Sequence, residues 1–254
     1  MSLSDPARPH AAHTEAGRPL REVTSYTRRG SRLSPKQQRA WSEYADRWVV
    51  PTEVATTRPV AEWFDRNTDL SAHLRAHLRA QLRAELIVEI GSGIGEVATA
   101  VALARPECHV LAFEVWKPGV AAGLDRAGTA GVDNLRFCLL DAVWAFREAV
   151  PADGIAELLT FFPDPWHKKR HHKRRLITPA FARLAAERVR PGGTWRIATD
   201  WPAYADHIGE VFDEVAPLWA GGQTDRWEGR PLTKFERRGL AEGRPIADFT
   251  FTRR

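Results

Sequence analysis

The sequence predicts an α/β fold in which helices cover both faces of a mostly parallel β-sheet. Short apolar runs alternate with helical stretches between residues 86 and 214, and this alternation is typical of strands joined by crossover helices. A glycine or an acidic residue stands at or just after the end of each apolar run, where ligands of such sheets bind. These residues are Gly91, Glu114, Asp141, Asp164 and Asp200.

The beginning of the chain differs in composition from the rest. Residues 1–23 are rich in Pro, Ala, His and Arg and show almost no apolar pattern, so we expect a disordered arm. Residues 24–254 show no internal repeat and no second change of composition. We therefore expect them to form one domain.

A first helix is expected after the arm. Ser34-Pro35 has the form of an N-cap followed by proline in the first turn, which predicts a helix carrying Trp41, Tyr44 and Trp48. Three basic residues precede this helix, namely Arg28, Arg29 and Arg32. They either contact phosphates or form an exposed charged segment before the helix.

A second helix is expected at residues 70–84, where leucines recur every four residues. His73 and His77 share this helix at a spacing that suits metal ligands. Because no third ligand is evident, we expect no metal site there.

The alternating region then predicts five strands and five helices. The strands are expected at residues 86–90, 109–114, 135–140, 158–162 and 194–199, the last after a turn at 191–193. The helices are expected at residues 96–105, 118–129, 143–150, 179–189 and 202–214.

The turn after the first strand has the pattern Glu89-x-Gly91-x-Gly93-x-Gly95. It differs from the Gly-x-Gly-x-x-Gly of dinucleotide binders, whose pyrophosphate needs helix N-terminal amides. S-adenosylmethionine carries no phosphate, and glycines allow its close approach to the backbone. An acid such as Glu89 suits its cationic aminoacyl end. The alternative is an ordinary nucleotide-type turn with solvated acids.

Two further acids extend this cofactor hypothesis. Glu114 ends the second strand and can accept hydrogen bonds from both ribose hydroxyls. Asp141 follows the third strand, where an adenine ring would lie, and can accept from its exocyclic amine. Three acids at successive strand ends favour S-adenosylmethionine over a solvated turn.

A stiff acidic loop and a basic block follow the fourth strand. Asp164 stands between Pro163 and Pro165, and the two prolines restrict its backbone. Six Lys/Arg residues then occupy positions 168–175. Such a block binds a polyanion or is a solvated face. Trp166, beside it, either stacks on a base or belongs to the core.

Four segments of the chain resemble the bacterial tRNA (guanine-N7-)-methyltransferases, and the resemblance covers roughly residues 26–254. The most specific segments are Phe162-Pro-Asp-Pro-Trp-His-Lys-Lys-Arg-His171 with Lys173-Arg-Arg175, and Thr233-Lys-Phe-Glu-Arg-Arg-Gly239. Glu114-Val-Trp116 with Pro118-Gly-Val120, and Arg28-Arg-Gly-Ser-Arg-Leu33, are similar to further family segments. The arm at residues 1–23 departs from the family pattern.

The resemblance implies methyl transfer from S-adenosylmethionine to guanine N7 in the tRNA variable loop, usually at position 46. It implies a Rossmann-like class I methyltransferase sheet of seven strands, whose last strand, at residues 246–251, is antiparallel and lies beside the fifth. The protein would be a monomer or a homodimer.

The resemblance also implies the site residues. Asp164 would be catalytic, and Asp200 or Glu236 would bind the guanine N1–H and N2 amine. The cofactor would contact Glu89, Gly91, Gly93, Gly95, Glu114, Asp141 and Asp164. The substrate would contact Lys168, Asp200, Thr233, Lys234, Phe235 and Glu236.

Composition limits the class of protein further. A net charge of +5 is compatible with nucleic acid. Two cysteines are too few for a disulfide framework. The absence of an apolar signal core and of a long apolar run leads us to expect a cytoplasmic protein without a membrane span. Two alternatives stay open, namely an exocyclic-amine methyltransferase and a non-catalytic RNA-binding protein on the same fold.

Overall fold

A computed structural model describes residues 30–58, 60–64 and 84–254. The expected arm, Arg28, Arg29 and most of the helix expected at residues 70–84, with His73 and His77, lie outside these residues.

Seven strands in the described residues form a single sheet with the order β3-β2-β1-β4-β5-β7-β6. Strands β1 to β5 are parallel, and β7 is antiparallel to both β5 and β6. The strands are β1 Leu86–Ile90, β2 His109–Phe113, β3 Leu135–Cys138, β4 Ile155–Phe161, β5 Val189–Thr199, β6 Trp219–Thr224 and β7 Ala247–Arg253. The predicted fold class and the antiparallel last strand beside β5 are therefore confirmed.

Helices cover both faces of this sheet. The α-helices are α1 Pro35–Trp48, α2 Thr52–Thr57, α3 Glu96–Ala104, α4 Lys117–Ala130, α5 Ala142–Glu148, α6 Pro179–Arg188, α7 Pro202–Glu214 and α8 Lys234–Ala241. Buried side chains of α1, α3 and α4 pack on one face, and those of α5, α6 and α7 pack on the other. No helix in the described part of the chain is long and apolar enough to cross a membrane.

The first helix begins where Ser34-Pro35 predicted it. The Ser34 hydroxyl accepts from the Gln37 amide, and the Gln37 side chain accepts from the Ser34 amide, so two orphan donors are satisfied together. Farther along, the Gln37 side chain donates to the Pro118 carbonyl at 2.8 Å. The Trp116 indole donates to the Gly30 carbonyl at 2.9 Å, which holds the start of the described chain beside α4.

Four strands differ from the sequence prediction by two or more residues at one end, and β6 was not predicted. Strand β3 ends at Cys138, β4 begins at Ile155 and β7 ends at Arg253. The expected turn at residues 191–193 lies inside β5, because the strand pairing jumps from Ile155 with Val189 to Glu157 with Thr194. The extra residues form a bulge rather than the start of the strand. Strand β6 had no sequence signal, since its Trp-Ala-Gly-Gly-Gln-Thr run is short, polar and at the edge of the sheet.

Candidate functional site

The carboxyl ends of the parallel strands bring the predicted polar residues to one edge. Gly91, Glu114, Asp141, Asp164 and Asp200 each lie one to three residues beyond β1, β2, β3, β4 and β5, respectively. The strand order reverses direction at β1 and β4, and this is where open α/β sheets form a ligand crevice.

The glycine turn has two different steric requirements. Gly91, Gly93 and Gly95 have φ values of 76°, 57° and 70°, a region that L side chains rarely adopt. A Cβ on Gly95 would stand 2.9 Å from the Cα of Gly123, so this glycine permits the close packing of α3 on α4. A Cβ on Gly91 or Gly93 would meet no described atom within 4 Å, which leaves room for a ligand against the backbone.

Glu89 is a buried carboxylate with an unsatisfied oxygen. The residue is 3% exposed, and its Oε2 has no hydrogen-bond partner among the described residues. Burial raises the pKa of Glu89 to about 8, and the like charges of Glu114 and Glu96 add to the effect. A cationic group in the crevice would satisfy this oxygen and compensate its charge.

Glu114 organises the turn through backbone amides. Its Oε2 accepts from the Gly93 amide at 2.8 Å, and its Oε1 accepts from the Val115 and Trp116 amides at 2.8 Å each. The carboxylate therefore ties the end of β2 to the glycine turn after β1. Charge-assisted bonds of this kind are stronger than neutral ones.

Asp141 caps α5. Its Oδ1 accepts from the amides of Val143 and Trp144 at 2.8 and 3.1 Å, as expected of an N-cap aspartate. The cap fixes the carboxylate at the end of β3, on the same edge as Glu114.

Asp164 is exposed at the end of β4. The residues on either side of the Pro-Asp-Pro unit, Phe162 and Trp166, have φ values of 53° and 49°, which is strained for side chains of this size. The buried guanidinium of Arg175 donates to the Pro165 carbonyl at 2.9 Å. The Trp166 amide donates to the Asp164 Oδ1 at 3.3 Å, so the carboxylate is oriented by its own loop while the residue stays exposed.

Trp166 belongs to the protein interior, which settles one of the alternatives raised by its sequence position. It is 5% exposed, with the His171 ring edge-on at 5.7 Å and the Arg174 guanidinium 5.0 Å from its centroid. Of the two alternatives, its burial therefore supports the core role and not stacking on a base.

The basic block forms a short 3-10 helix, Lys169–Arg174. Lys168, Lys169, Arg170 and Lys173 are exposed and lie close in sequence to the Pro-Asp-Pro loop. Arg175 is 2% exposed, so it is a structural member of the block rather than a surface cation.

A cleft joins the ends of β4 and β5 to α8. It is lined by Pro165, His167, Asp200, Trp201, Phe235 and Arg238, with Arg244 at its side. The Asp200 Oδ2 accepts two bonds from Arg244, at 2.7 and 2.9 Å, which orients the carboxylate. The rings of His167 and Trp201 lie 3.9 Å apart, so the cleft has an aromatic wall and a fixed acid.

The Thr233–Glu236 segment divides into exposed and buried residues. Thr233 caps α8 by accepting from the Glu236 amide, and the Lys234 amide donates to Glu96 at 2.9 Å. Phe235 is 43% exposed and lines the cleft. Glu236, in contrast, is 1% exposed and does not line the cleft.

The position of Glu236 corrects the expectation that it binds guanine directly. Both of its oxygens accept from Arg226 and Arg230, so its hydrogen-bonding capacity is used inside the protein. Arg230 also binds Asp248 of β7. Arg226, Arg230 and Asp248 were not predicted, because no spacing or motif in the sequence marks the partners of an ion pair that forms only in the fold.

Comparison with known proteins agrees with this architecture. Residues 83–249 match a family described as "Putative methyltransferase". A tRNA (guanine-N(7)-)-methyltransferase of Nocardioides sp. is 52% identical over 98% of this chain and 94% of its own length. This chain belongs to the tRNA (guanine-N(7)-)-methyltransferase family.

More distant members of this methyltransferase family also match along nearly the whole chain. The enzyme of Salmonella typhimurium is 38% identical over 94% of this chain and 95% of its own length. A solved structure of the 16S rRNA methyltransferase KamB has a TM-score of 0.50 and 21% identity, and covers 73% of this chain and 95% of its own. This likeness shows the shared fold.

The methyl donor of this methyltransferase is S-adenosylmethionine, and the residues at the edge of the sheet fit it. The unsatisfied Glu89 oxygen suits an ammonium group, and the open space over Gly91 and Gly93 admits a ligand against the backbone. Within the described ranges, no group of three or more His, Cys, Asp or Glu side chains forms a metal site.

Proposed function

We propose that this chain methylates N7 of the guanine at position 46, in the variable loop of tRNA. The observation that carries the proposal is the exposed Asp164 carboxylate on its stiff loop, between the glycine turn and the cleft at Asp200. The exposed cations of the basic block lie beside the same loop. S-adenosylmethionine supplies the electrophilic methyl group.

Methylation of guanine N7 does not require a general base from the protein. The nitrogen already has an in-plane lone pair, so no proton has to be removed before it attacks. The protein must align the nucleophile with the methyl group, and must stabilise the positive charge that grows on the purine ring. Asp164 is the carboxylate placed for that second task, because a preorganised charge acts most strongly on charge that develops during reaction.

Three carboxylates divide the recognition of the cofactor in this proposal. Glu89 accepts from the aminoacyl ammonium, Glu114 from the ribose hydroxyls and Asp141 from the adenine amine. Gly91, Gly93 and Gly95 supply the backbone surface. Because Glu114 also accepts from three amides of its own protein, cofactor binding and the shape of the turn depend on the same side chain.

The substrate is recognised by two kinds of contact. Lys168 and the exposed cations of the block bind phosphates, which provide affinity without base selection. Asp200 accepts from the guanine N1–H and N2 amine at the cleft. Lys234 and Phe235 contact the tRNA around it, with the Phe235 ring in the cleft wall. Thr233 is 5% exposed and caps α8, so it holds this segment in place and does not reach the tRNA.

The direct test is nucleoside analysis of tRNA after incubation with the enzyme and labelled cofactor. The label should appear in 7-methylguanosine and disappear when position 46 is replaced by adenosine. Label in N2-methylguanosine or N6-methyladenosine would favour the exocyclic-amine alternative. Binding of tRNA without any incorporated label would favour a non-catalytic RNA-binding protein. We expect the active form to be a cytoplasmic monomer or homodimer.

A further inference from the structure

Four charged residues, three of them buried, are joined by ion pairs next to the cleft, and we refer to Arg226, Arg230, Glu236 and Asp248 as the ion cluster. The Arg230 guanidinium makes two bonds to Glu236, both at 3.1 Å, and two to Asp248, at 2.5 and 3.0 Å. Arg226 adds two bonds to Glu236, at 2.6 and 3.1 Å. The cluster contains two cations and two anions.

Three of the four members of the cluster are almost completely removed from water. The side chains of Arg230, Glu236 and Asp248 are 0%, 2% and 7% exposed, while Arg226 is 40% exposed. Buried ion pairs gain little net stability over apolar packing, but loss of one member leaves an uncompensated charge. Arginine suits this position because its planar fork can bind two carboxylates bidentately at once. The geometry of the cluster is therefore fixed.

The members of the cluster come from three different elements. Asp248 is in β7, opposite Ala198 of β5. Arg226 and Arg230 are in the loop between β6 and α8, and Glu236 is in the first turn of α8. The cluster thus joins α8, and with it the exposed Phe235 of the cleft, to the sheet.

The same guanidinium also contacts the end of the strand that carries Asp164. The Arg230 Cζ lies 5.0 Å from the Phe161 ring centroid and 5.5 Å from that of Phe162. Cation–π contacts are strongest when they are shielded from water. Phe162 is the residue in left-handed conformation that opens the Pro-Asp-Pro loop. One buried side chain therefore touches both the support of Asp164 and the anchor of α8.

We propose that Arg230 is a positioning residue that sets the distance between Asp164 and α8, with Glu236 and Asp248 as its anchors. This inference rests on the proposed function. It gives Glu236 a role inside the protein in place of a hydrogen bond to the target guanine. Arg230 reaches neither the cofactor nor the base in this role, and it acts through the residues that it holds.

The first experiment compares conservative variants of the cluster. Arg230→Lys keeps the charge but loses the fork, and Glu236→Gln and Asp248→Asn keep the shape but lose charge. We expect single-turnover methylation to fall by about 10²-fold, since small misplacements of reacting groups have effects of that size. Cofactor affinity should be unchanged. The matched control is Arg183→Lys, in an exposed pair with Glu214 that makes no hydrogen bond or ion pair to the ion cluster within the described residues, which should keep the wild-type rate.

Melting curves and circular dichroism then separate positioning from folding. A folded variant with wild-type cofactor affinity and a slow chemical step supports the proposal. Wild-type rates in Arg230→Lys and in both anchor variants would overturn it. A loss of rate that only matches the loss of folded protein in all three variants would also overturn it.

The second experiment asks whether Glu236 touches the base, using tRNA with a purine analogue at the target position. Inosine lacks the N2 amine, and 2-aminopurine lacks the N1–H. If Glu236 is an anchor, the effects of Glu236→Gln and of each analogue should multiply, because distant groups act independently. For Asp200→Asn, the combined loss of rate with one of the analogues should be smaller than the product of the two separate losses. Coupling between Glu236→Gln and an analogue would overturn the proposal. Failure of the wild-type enzyme to methylate guanine would instead reject the proposed function.

Discussion

At the scale of single residues, the site depends on carboxylates in contrasting surroundings. Glu89 is buried with an unsatisfied oxygen, whereas Asp164 is exposed on a loop with strained flanking residues. In the proposed function, the first receives a cation that stays bound, and the second faces a charge that appears only during reaction. Two predictions follow from this contrast.

Replacement of Asp164 by Asn should slow the chemical step while leaving tRNA binding nearly unchanged. The amide keeps the shape of the side chain but removes the negative charge that stabilises the methylated purine. Loss of one preorganised group of this kind typically costs about 10²–10³ in turnover. Single-turnover methylation with saturating cofactor and tRNA measures the effect, and a filter-binding assay provides the tRNA affinity. A near-normal rate would mean that alignment alone carries the reaction. An equal loss of rate and affinity would make Asp164 a substrate-binding residue.

Replacement of Glu89 by Gln should change how stability of the cofactor-free protein depends on pH. The pKa of Glu89 is about 8 in the folded protein and about 4.5 in the unfolded chain. Its contribution to stability is therefore complete below pH 4.5 and is lost as pH rises towards 8. Relative to the Gln variant, the wild type should lose up to about 1.4 kcal/mol per pH unit across this window.

Urea unfolding at several pH values between 4.5 and 8 measures this difference. The like charges facing Glu89 are those of Glu114 and Glu96, and both stay in the variant, so the comparison isolates one carboxyl group. Parallel stability profiles would show that Glu89 is ionised throughout and has a partner. Cofactor binding by calorimetry should be weaker in the variant, because the amide cannot compensate an ammonium charge.

At the scale of structural elements, the short 3-10 helix Lys169–Arg174 is expected to contribute to tRNA affinity and not to the methyl-transfer step. Its exposed cations lie beside the Pro-Asp-Pro loop, while Arg175 is buried and holds that loop through the Pro165 carbonyl. We therefore expect substitutions of the exposed cations to leave the loop intact, whereas a substitution of Arg175 should disturb it.

Neutralising Lys169, Arg170 and Lys173 together should weaken tRNA binding and flatten its dependence on salt. Each phosphate contact that is lost should reduce the slope of log affinity against log salt by about 0.7–0.9. Equilibrium binding at several salt concentrations measures the slope, and the control is Arg183→Gln, which removes an exposed cation that is paired with Glu214 and lies outside the block. An unchanged slope would mean that the block is only a solvated face.

At the scale of the whole molecule, the sequence predicted most of the fold because its signals are local. Strand β1, the glycine turn and α3 follow from a short apolar run, positive-φ glycines and a run of Ala and Val. The bulge in β5 was missed because Pro191-Gly192-Gly193 has the composition of a turn, and only the pairing with β4 extends the strand through it.

The site was predictable to the extent that strand ends determine it. Five polar residues at one edge follow from parallel topology alone. The burial of Glu236 and Arg175 could not be inferred in the same way, because a charged residue in a polar segment is usually exposed. The partners of Glu236 are Arg226 and Arg230, and the partner of Arg175 is the Pro165 carbonyl. These groups become neighbours only after the sheet and loops have assembled.

The antiparallel direction of β7 has a practical consequence for handling the enzyme. Because Thr252 pairs with Thr194 near the beginning of β5, Arg254 emerges at the edge of the sheet opposite Asp164. Gly30, held by Trp116, instead emerges beside the cofactor turn. A biotin or fluorophore attached after Arg254 would therefore leave the edge that carries Asp164 facing solution on a sensor surface, whereas attachment near Gly30 would place the label beside the glycine turn.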